Sequence, residues 1–436
     1  MTALTPTAPT TAPREHEPLS RELRRELKKV QPWDFPLLAA VVLLLGLGAV
    51  MVYSATINEM TQLTGDGMGK LKTHLLHMSV GIGLLVFFTF FRYERLKPLV
   101  YPALVATVGL LVLVIVAGFE AGNARRWIAL PGFNVQPVEV AKVSFVLFLS
   151  YSLAKKGGRI RQFTVAFIPH FMVAALLIFL CLFQPDFGTS VILVILMFTM
   201  LFVAGTRLSY LTLFFFVGSF LAFQAIASND MRLGRVMASI DPWAHRMGRG
   251  FQMVNSQIAI GSGGVFGQGL GYGGQTITGF LPEGETDFIL SVTAEQLGAL
   301  GLVFVSFLFS MILVRGMKIA RATEDAFGRY LAFGLTLLLT LQVAINMLVA
   351  VALIPTKGLT LPFVSYGGSS MLMTCATVGI LLNISRSHGL KTVRQYAPEP
   401  EKPAPAPKTR RQQQQSRFSL KSSKRPKAQT LDEVLR

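Results

Sequence analysis

The run FPLLAAVVLLLGLGAVMVY, Phe35–Tyr53, contains no charged side chain and follows directly on Asp34. A helix needs about 20 apolar residues to cross about 30 Å of hydrocarbon, and this stretch has that length. Nine further stretches read the same way: His74–Phe91, Pro98–Phe119, Gln136–Leu153, Phe163–Phe183, Phe187–Ala204, Leu208–Ser228, Phe288–Val314, Tyr330–Ile354 and Gly368–Ser385. The fifth and sixth are parted only by Gln184-Pro185-Asp186, so nine spans is the alternative count. The expected fold is an all-α polytopic membrane protein of about ten transmembrane helices.

Composition agrees. Of 436 residues 52% are hydrophobic and 15% charged, with a mean hydropathy of +0.52. Soluble domains carry about 25% charge, which excludes a water-soluble globular protein. A formal net charge of +18 would suit a nucleic-acid binder, but the basic residues are interrupted by apolar runs and no nucleic-acid-binding motif is present. Cys181 and Cys375 are too few and too apolar in setting for a disulfide framework or a zinc site.

The excess charge orients the chain instead. Arg21, Arg24, Arg25, Lys28 and Lys29 precede the first span. Arg92, Arg95 and Lys97, then Lys155, Lys156, Arg159 and Arg161, then Arg207, then Arg315, Lys318, Arg321 and Arg329 occupy alternate connections. By the positive-inside rule these face the cytoplasm, and ten spans place both termini there. Residues 1–30 and 391–436 read as disordered tails, the second basic and Gln/Pro-rich. Residues 31–390 form the membrane domain.

One extracytoplasmic connection, 229–287, is far longer than the others, and its aromatic and glycine content reads as structured. Its glycines, from Gly261 to Gly274, permit positive φ and close backbone approach to a ligand. Arg232, Arg235, Arg246 and Arg249 offer bidentate phosphate recognition, or pairing with Asp230 and Asp241. At its end Asp287 meets the eighth span, where a carboxylate either caps the helix or acts as a general base at the mouth of a cavity. Glu295 lies two turns deeper, and intramembrane carboxylates usually face a cavity or a partner.

Glu139 and Lys142 share one face of the fourth span, shortly after Arg125, Arg126 and Trp127. Ile354 to Ser370, with Pro355, Lys357, Pro362, Ser365, Gly367 and Gly368, reads as broken backbone, tolerated at membrane depth only where it lines protein or a cavity. A carboxylate, several cations, Trp127 and an ion pair thus belong to one side of the membrane.

Taken in order, Ala124-Arg125-Arg126-Trp127-Ile128, Gln136-Pro137-Val138-Glu139, Gln184-Pro185-Asp186-Phe187-Gly188-Thr189, Gly267-Gln268-Gly269-Leu270-Gly271, Thr286-Asp287-Phe288-Ile289, Glu295-Gln296-Leu297-Gly298 and Pro362–Ser370 resemble the SEDS family (shape, elongation, division, sporulation), the bacterial FtsW and RodA proteins. The likeness runs from about Trp33 to Arg386, and Thr356 to Pro362 looks like the division-type branch. Glu285 departs from the His that many members carry before the Thr-Asp pair.

The resemblance implies a peptidoglycan glycosyltransferase that polymerises lipid II at the outer face of the bacterial cytoplasmic membrane, at the division septum. It places the essential carboxylate on Asp287. Arg126, Arg232, Arg235 and Lys357 are then the cations for a departing pyrophosphate, Glu139 and Lys142 shape the cavity, Trp127 packs on sugar or lipid, and Ser365 lies among the substrate-binding residues. It implies a class B penicillin-binding protein and other divisome proteins as partners, beside membrane lipid and with no nucleic acid. No metal-ligand cluster is visible, and a divalent cation, Mg or Mn, stays open as a helper. The rival functions are a lipid II flippase, an elongation-type polymerase of the RodA kind, and a scaffold acting through the basic tail.

Overall fold

Asp34 closes the polar N-terminal stretch and starts the first helix. Its carboxylate accepts from the Leu37 amide at 3.1 Å and pairs with Arg315 at 2.7 Å. The computed structural model describes residues 33–64, 67–121, 124–130, 133–277 and 279–396, with Lys28–Lys391 forming one compact unit. The two tails expected at the termini therefore lie outside the described residues, apart from the end of the last helix.

Each apolar run is a helix. They are α1 (Phe35–Thr64), α2 (Gly69–Phe90), α3 (Val100–Ala117), α4 (Pro137–Lys156), the paired α5 (Phe163–Ala166) and α6 (Ile168–Phe183), α7 (Phe187–Val203) and α8 (Leu208–Ala227). After a connecting segment come α12 (Ile289–Ala322), α13 (Ala326–Ala350) and α14 (Gly368–Tyr396). Among the described residues nine helices are long and apolar enough to cross a membrane, and α7, at 17 residues, is a shorter apolar tenth. Gln184-Pro185-Asp186 does separate two helices: Asp186 caps α7, accepting from the Thr189 amide at 3.0 Å and its hydroxyl at 2.7 Å. The expected end at Val314 is short by two turns, since α12 carries Arg315, Lys318 and Arg321 on its last turns.

α4 and α14 sit at the centre, with 83% of their most apolar window buried; α8 is peripheral, with 6%. α13 packs between α12 and α4, and α1 packs along α12.

A small sheet, absent from the sequence reading, follows α3. β1 (Phe119–Ala121), β2 (Ala124–Leu130) and β3 (Phe133–Val135) form an antiparallel meander, with Phe119 opposite Trp127 and Ile128 opposite Val135. The register shifts between Phe119 and Glu120, which face Trp127 and Arg125, so Arg126 lies at a bulge with no partner opposite it on β1.

The long connection is mostly helical. α9 (Asp230–Ile240) is capped by Asn229, α10 (Phe251–Ser262) is buried against α12, and α11 (Gly274–Ile277) is a single turn. Ser256 on α10 donates to Ala350 O at 2.6 Å and lies 2.6 Å from the Ser291 hydroxyl.

The glycines at 264, 267, 269 and 271 have the positive φ expected of them, and Gly267 makes its close approach to the protein's own backbone. α12 is broken at Gly298 (φ +69°), and the turn segment 264–269 bonds to the backbone on both sides of the break. Gln268 N donates to Glu295 O at 2.9 Å and Gly269 N to Gln296 O at 3.1 Å, while Ala299 N and Leu300 N donate back to Gly264 O and Val265 O at 2.9 and 3.2 Å. Backbone released by the break is thereby satisfied. A Cβ on Gly267 (φ +80°) would collide with Gln296 O and the Leu297 amide. Glu295, expected to face a cavity or partner, accepts from Gln275 N (2.8 Å), Thr276 N (3.2 Å) and the Thr276 hydroxyl (2.6 Å), and so anchors α11.

Gly267→Ala should destabilise the protein by about 1–3 kcal/mol through overpacking and φ strain. Thermal unfolding in detergent measures this; Gly261→Ala, where a Cβ meets open space, is the control and should change little.

Candidate active site

Asp287 is placed by a tight turn at the head of α12. The amides of Thr286, Asp287 and Phe288 all donate to Glu283 O, at 3.2, 3.1 and 3.1 Å. The Thr286 hydroxyl donates to the Glu283 carboxylate at 2.8 Å. The helix begins at Ile289 with Phe288 in the capping position and no side-chain cap, so the Asp287 carboxylate is not spent on capping.

Two neighbours fix the turn from behind. Asn346 on α13 donates to Asp287 O at 2.9 Å and to Leu359 O at 2.8 Å. Ser365, buried, donates to Thr286 O at 2.5 Å and accepts from the Leu361 amide at 2.8 Å. The broken segment 351–367 and the Asp287 turn are thus laced together through backbone carbonyls. Ser365, expected among the substrate-binding residues, spends its hydroxyl on these backbone contacts.

Arg126 arrives from β2. Its Nε donates to Gln184 O at 2.9 Å and its Nη2 to Pro185 O at 2.6 Å, across the break between α6 and α7. The point where it meets Asp287 is Gly358: a Cβ there would lie 3.6 Å from Arg126 Nη1 and 3.7 Å from Asp287 Oδ2. A bare α-carbon therefore floors the space between a carboxylate and a guanidinium.

Burial raises the Asp287 carboxyl well above its ordinary range, to about 7. Glu283 and Glu285 add to the rise and Arg126 opposes it. Lys357, next to Gly358, has its ammonium pushed down by burial, with Asp186 partly holding it up. A carboxylate poised near neutrality beside fixed positive charge is suited to accept a proton while an anion forms nearby.

The other expected residues divide. Glu139 and Lys142 form a buried ion pair at 2.8 Å. Trp127, next to Arg126 on β2, is half-buried. Arg232 stacks over the Phe187 ring at 5.5 Å and donates to Ala225 O at 3.1 Å, which puts it on the Asp186–Phe187 edge of the site. Arg235 is exposed on α9 and makes no hydrogen bond or ion pair with a described residue. Arg249 donates to Asp230 O at 2.9 Å, so that Arg binds a backbone carbonyl and not a carboxylate.

Three residues of the arrangement were not singled out by the sequence reading: Asn346, Gly358 and Lys70, which pairs with Glu285 at 2.6 Å. An Asn within an apolar span was a visible signal; the other two become meaningful only once the chain is folded.

A model of the family that joins FtsW, RodA and SpoVE, described as cell cycle protein, matches residues 35–389. The chain belongs to this family. It is 39% identical over 361 residues to the probable peptidoglycan glycosyltransferase FtsW of Geobacter sulfurreducens strain PCA, covering 82% of this chain and 96% of that protein. It is 36% identical over 363 residues to stage V sporulation protein E of Bacillus subtilis, covering 82% and 98%. Among solved structures it resembles the rod shape determining protein RodA of Thermus thermophilus (28% identity, TM-score 0.62, covering 82% and 97%). It also resembles a chain solved in work on the structural coordination of polymerization and crosslinking by a peptidoglycan synthase complex (28% identity, TM-score 0.68, covering 82% and 98%). Family membership and the bundle of apolar helices make this a multi-pass membrane protein.

Within this family fold the Asn346 amide serves two carbonyls at once. Asn346→Leu should cost about 1–3 kcal/mol for each carbonyl left without a donor. It should lower activity as well as the unfolding temperature, because one of the two carbonyls is that of Asp287. Unfolding and turnover measured on the same preparation check both.

Proposed function

We propose that this chain polymerises lipid II into β-1,4 glycan strands for septal wall synthesis, with Asp287 as the general base. The observation that carries the reading is the convergence of the Asp287 carboxylate and the Arg126 guanidinium over Gly358, in a family whose relatives are named peptidoglycan glycosyltransferases.

In the reaction Asp287 takes the proton from the acceptor sugar 4-hydroxyl as that oxygen attacks the anomeric carbon of the growing chain. The carbon–oxygen bond to the pyrophosphate breaks on the opposite face, so an α-linked donor yields a β-1,4 bond. The proton rests on Asp287 and the charge on undecaprenyl pyrophosphate. Arg126 and Lys357 meet that charge, with Arg232 at the edge, where fixed cations stabilise the transition state without reorganising. Among the described residues no group of three or more His, Cys, Asp or Glu could hold a metal, so no step is routed through a divalent cation.

Both termini are proposed to lie in the cytoplasm, with the Asp287 end of the bundle outside and the protein at the division septum. A class B penicillin-binding protein transpeptidase is the proposed partner; the likeness to a chain studied in a peptidoglycan synthase complex supports this. The division role is supported by relatives named FtsW at 39–41% identity, against 28% to RodA. The flippase reading draws on broken helices. Here the break in α12 is filled by the chain's own backbone and Glu295 is engaged with α11, which leaves that reading without a specific observation.

Asp287→Asn should reduce glycan polymerisation from lipid II by ~10²–10⁴-fold while the protein still folds. A variant that polymerises like the parent removes the general-base assignment, and lipid II crossing a liposome bilayer without polymer would replace the function. With a carboxyl near 7, the base is ionised above that pH and protonated below it, so the rate should fall about five- to tenfold from pH 8 to pH 6.

A further inference from the structure

Lys70, Thr73, His74 and His77 lie three or four residues apart on α2 and so share one face of it. That face meets the back of the Asp287 turn. Lys70 Nζ lies 2.6 Å from Glu285 Oε1, and both side chains are largely shielded, at 23% and 19% exposure. The backbone of Glu285 is held too, since Tyr366 N donates to Glu285 O at 2.8 Å. The Tyr366 ring in turn lies against His74 and His77, with centroids 6.1 and 6.4 Å apart. Glu285 is therefore clamped from two sides, by α2 and by the segment entering α14.

Resting on the reading of Asp287 as the general base, we propose that the Lys70–Glu285 ion pair positions that base, anchoring its turn to α2 and neutralising the neighbouring carboxylate. Lys70 and Glu285 touch no reacting atom; they act through Asp287.

The base faces charges from its own turn, from β2 and from the stretch that carries Gly358, where Lys357 stands. Glu283 lies on its own turn, Glu285 two residues before it, and Arg126 comes from β2. Glu285 in turn faces Lys70 from α2 and Tyr366 from the segment entering α14, behind which lie His74 and His77. Glu283 and Glu285 both push the Asp287 carboxyl upward after burial has done most of it. An uncompensated Glu285 would push harder. The Lys70 ammonium, bonded to that carboxylate, limits the push. A carboxylate two residues before the base creates a need for a cation, and Lys70 supplies it.

The two members of the pair therefore predict opposite shifts. Removing the cation with Lys70→Met leaves Glu285 charged beside the base, so ionisation of Asp287 moves to higher pH. Removing the carboxylate with Glu285→Gln takes away one of the charges that push the Asp287 carboxyl upward, so its ionisation moves to lower pH. The rate of lipid II polymerisation by the full-length protein in detergent, measured from pH 5 to 9, reads the midpoint of the acid limb. The expected shifts are about half a pH unit in each direction, as for a charge several ångströms away in a partly shielded site. The double variant should return towards the parent midpoint, and Lys70→Arg should keep it.

Midpoints that stay fixed in both single variants, or that move the same way, overturn the proposal, since a merely structural pair would lower the rate without opposite shifts. Thermal unfolding on the same samples identifies variants that do not fold; if Lys70→Met is one, Glu285→Gln and the double variant decide the matter by whether their limbs differ. The parent reading fails separately, and visibly: an active Asp287→Asn sinks the base itself, whereas an inactive Asp287→Asn with unmoved limbs sinks only the role of the pair.

Discussion

A buried side-chain amide in the last turns of an apolar helix joins the two segments on which the chemistry depends. Asn346 donates to Asp287 O and to Leu359 O, bridging the head of α12 and the broken stretch that carries Lys357 and Gly358. Neither segment is regular there, so its carbonyls have no helical or sheet partner. In hydrocarbon such groups are costly, and irregular backbone persists only where protein supplies the missing partners. Ser365 does the same for Thr286 O, and Glu295 for the amides of α11. In this bundle a handful of the interior polar side chains, Asn346, Ser365 and Glu295 among them, hold non-helical backbone in place.

That economy explains which parts of the fold could be read from residues alone. Hydropathy finds all ten helices because each must satisfy its own backbone, and the rule acts on every residue of a span. The Glu139–Lys142 pair was equally readable, since i, i+3 spacing fixes a shared face whatever the rest of the chain does. The meander at 119–135 escaped because its strands are three to seven residues long and their alternation is too short to stand out from a loop. The glycine-rich stretch was read as preparing for a ligand because a close approach leaves the same mark on a sequence whether the approaching surface is foreign or the chain's own α12.

The candidate site was legible to a similar degree. Asp287 stood out by its place at a span mouth, and Arg126 by its neighbours. Their meeting at Gly358 could not be read, since it depends on β2, the α6–α7 break and the segment after α13 all reaching one point. Arg235 shows the converse: loop position and charge suggested the site, but α9 presents that side chain outward.

How the cations are held separates those that build the bundle from those left to act. Lys142, Arg315, Lys97 and Lys70 each face a carboxylate within 4 Å, and their charge is largely spent there. Arg126 is fixed by two carbonyl oxygens instead. Carbonyl dipoles orient a guanidinium without cancelling its charge, and five donors leave some free for a further acceptor. The Asp287 carboxyl, with which Arg126 interacts across Gly358, is raised to about 7, so the opposing charge there is partial at physiological pH. When that carboxylate takes up a proton during transfer, even this partial compensation is lost, and the positive field of Arg126 is strongest at the moment a pyrophosphate would be leaving. Proton uptake at Asp287 and anion stabilisation at Arg126 are in this way coupled through the small space that Gly358 keeps open.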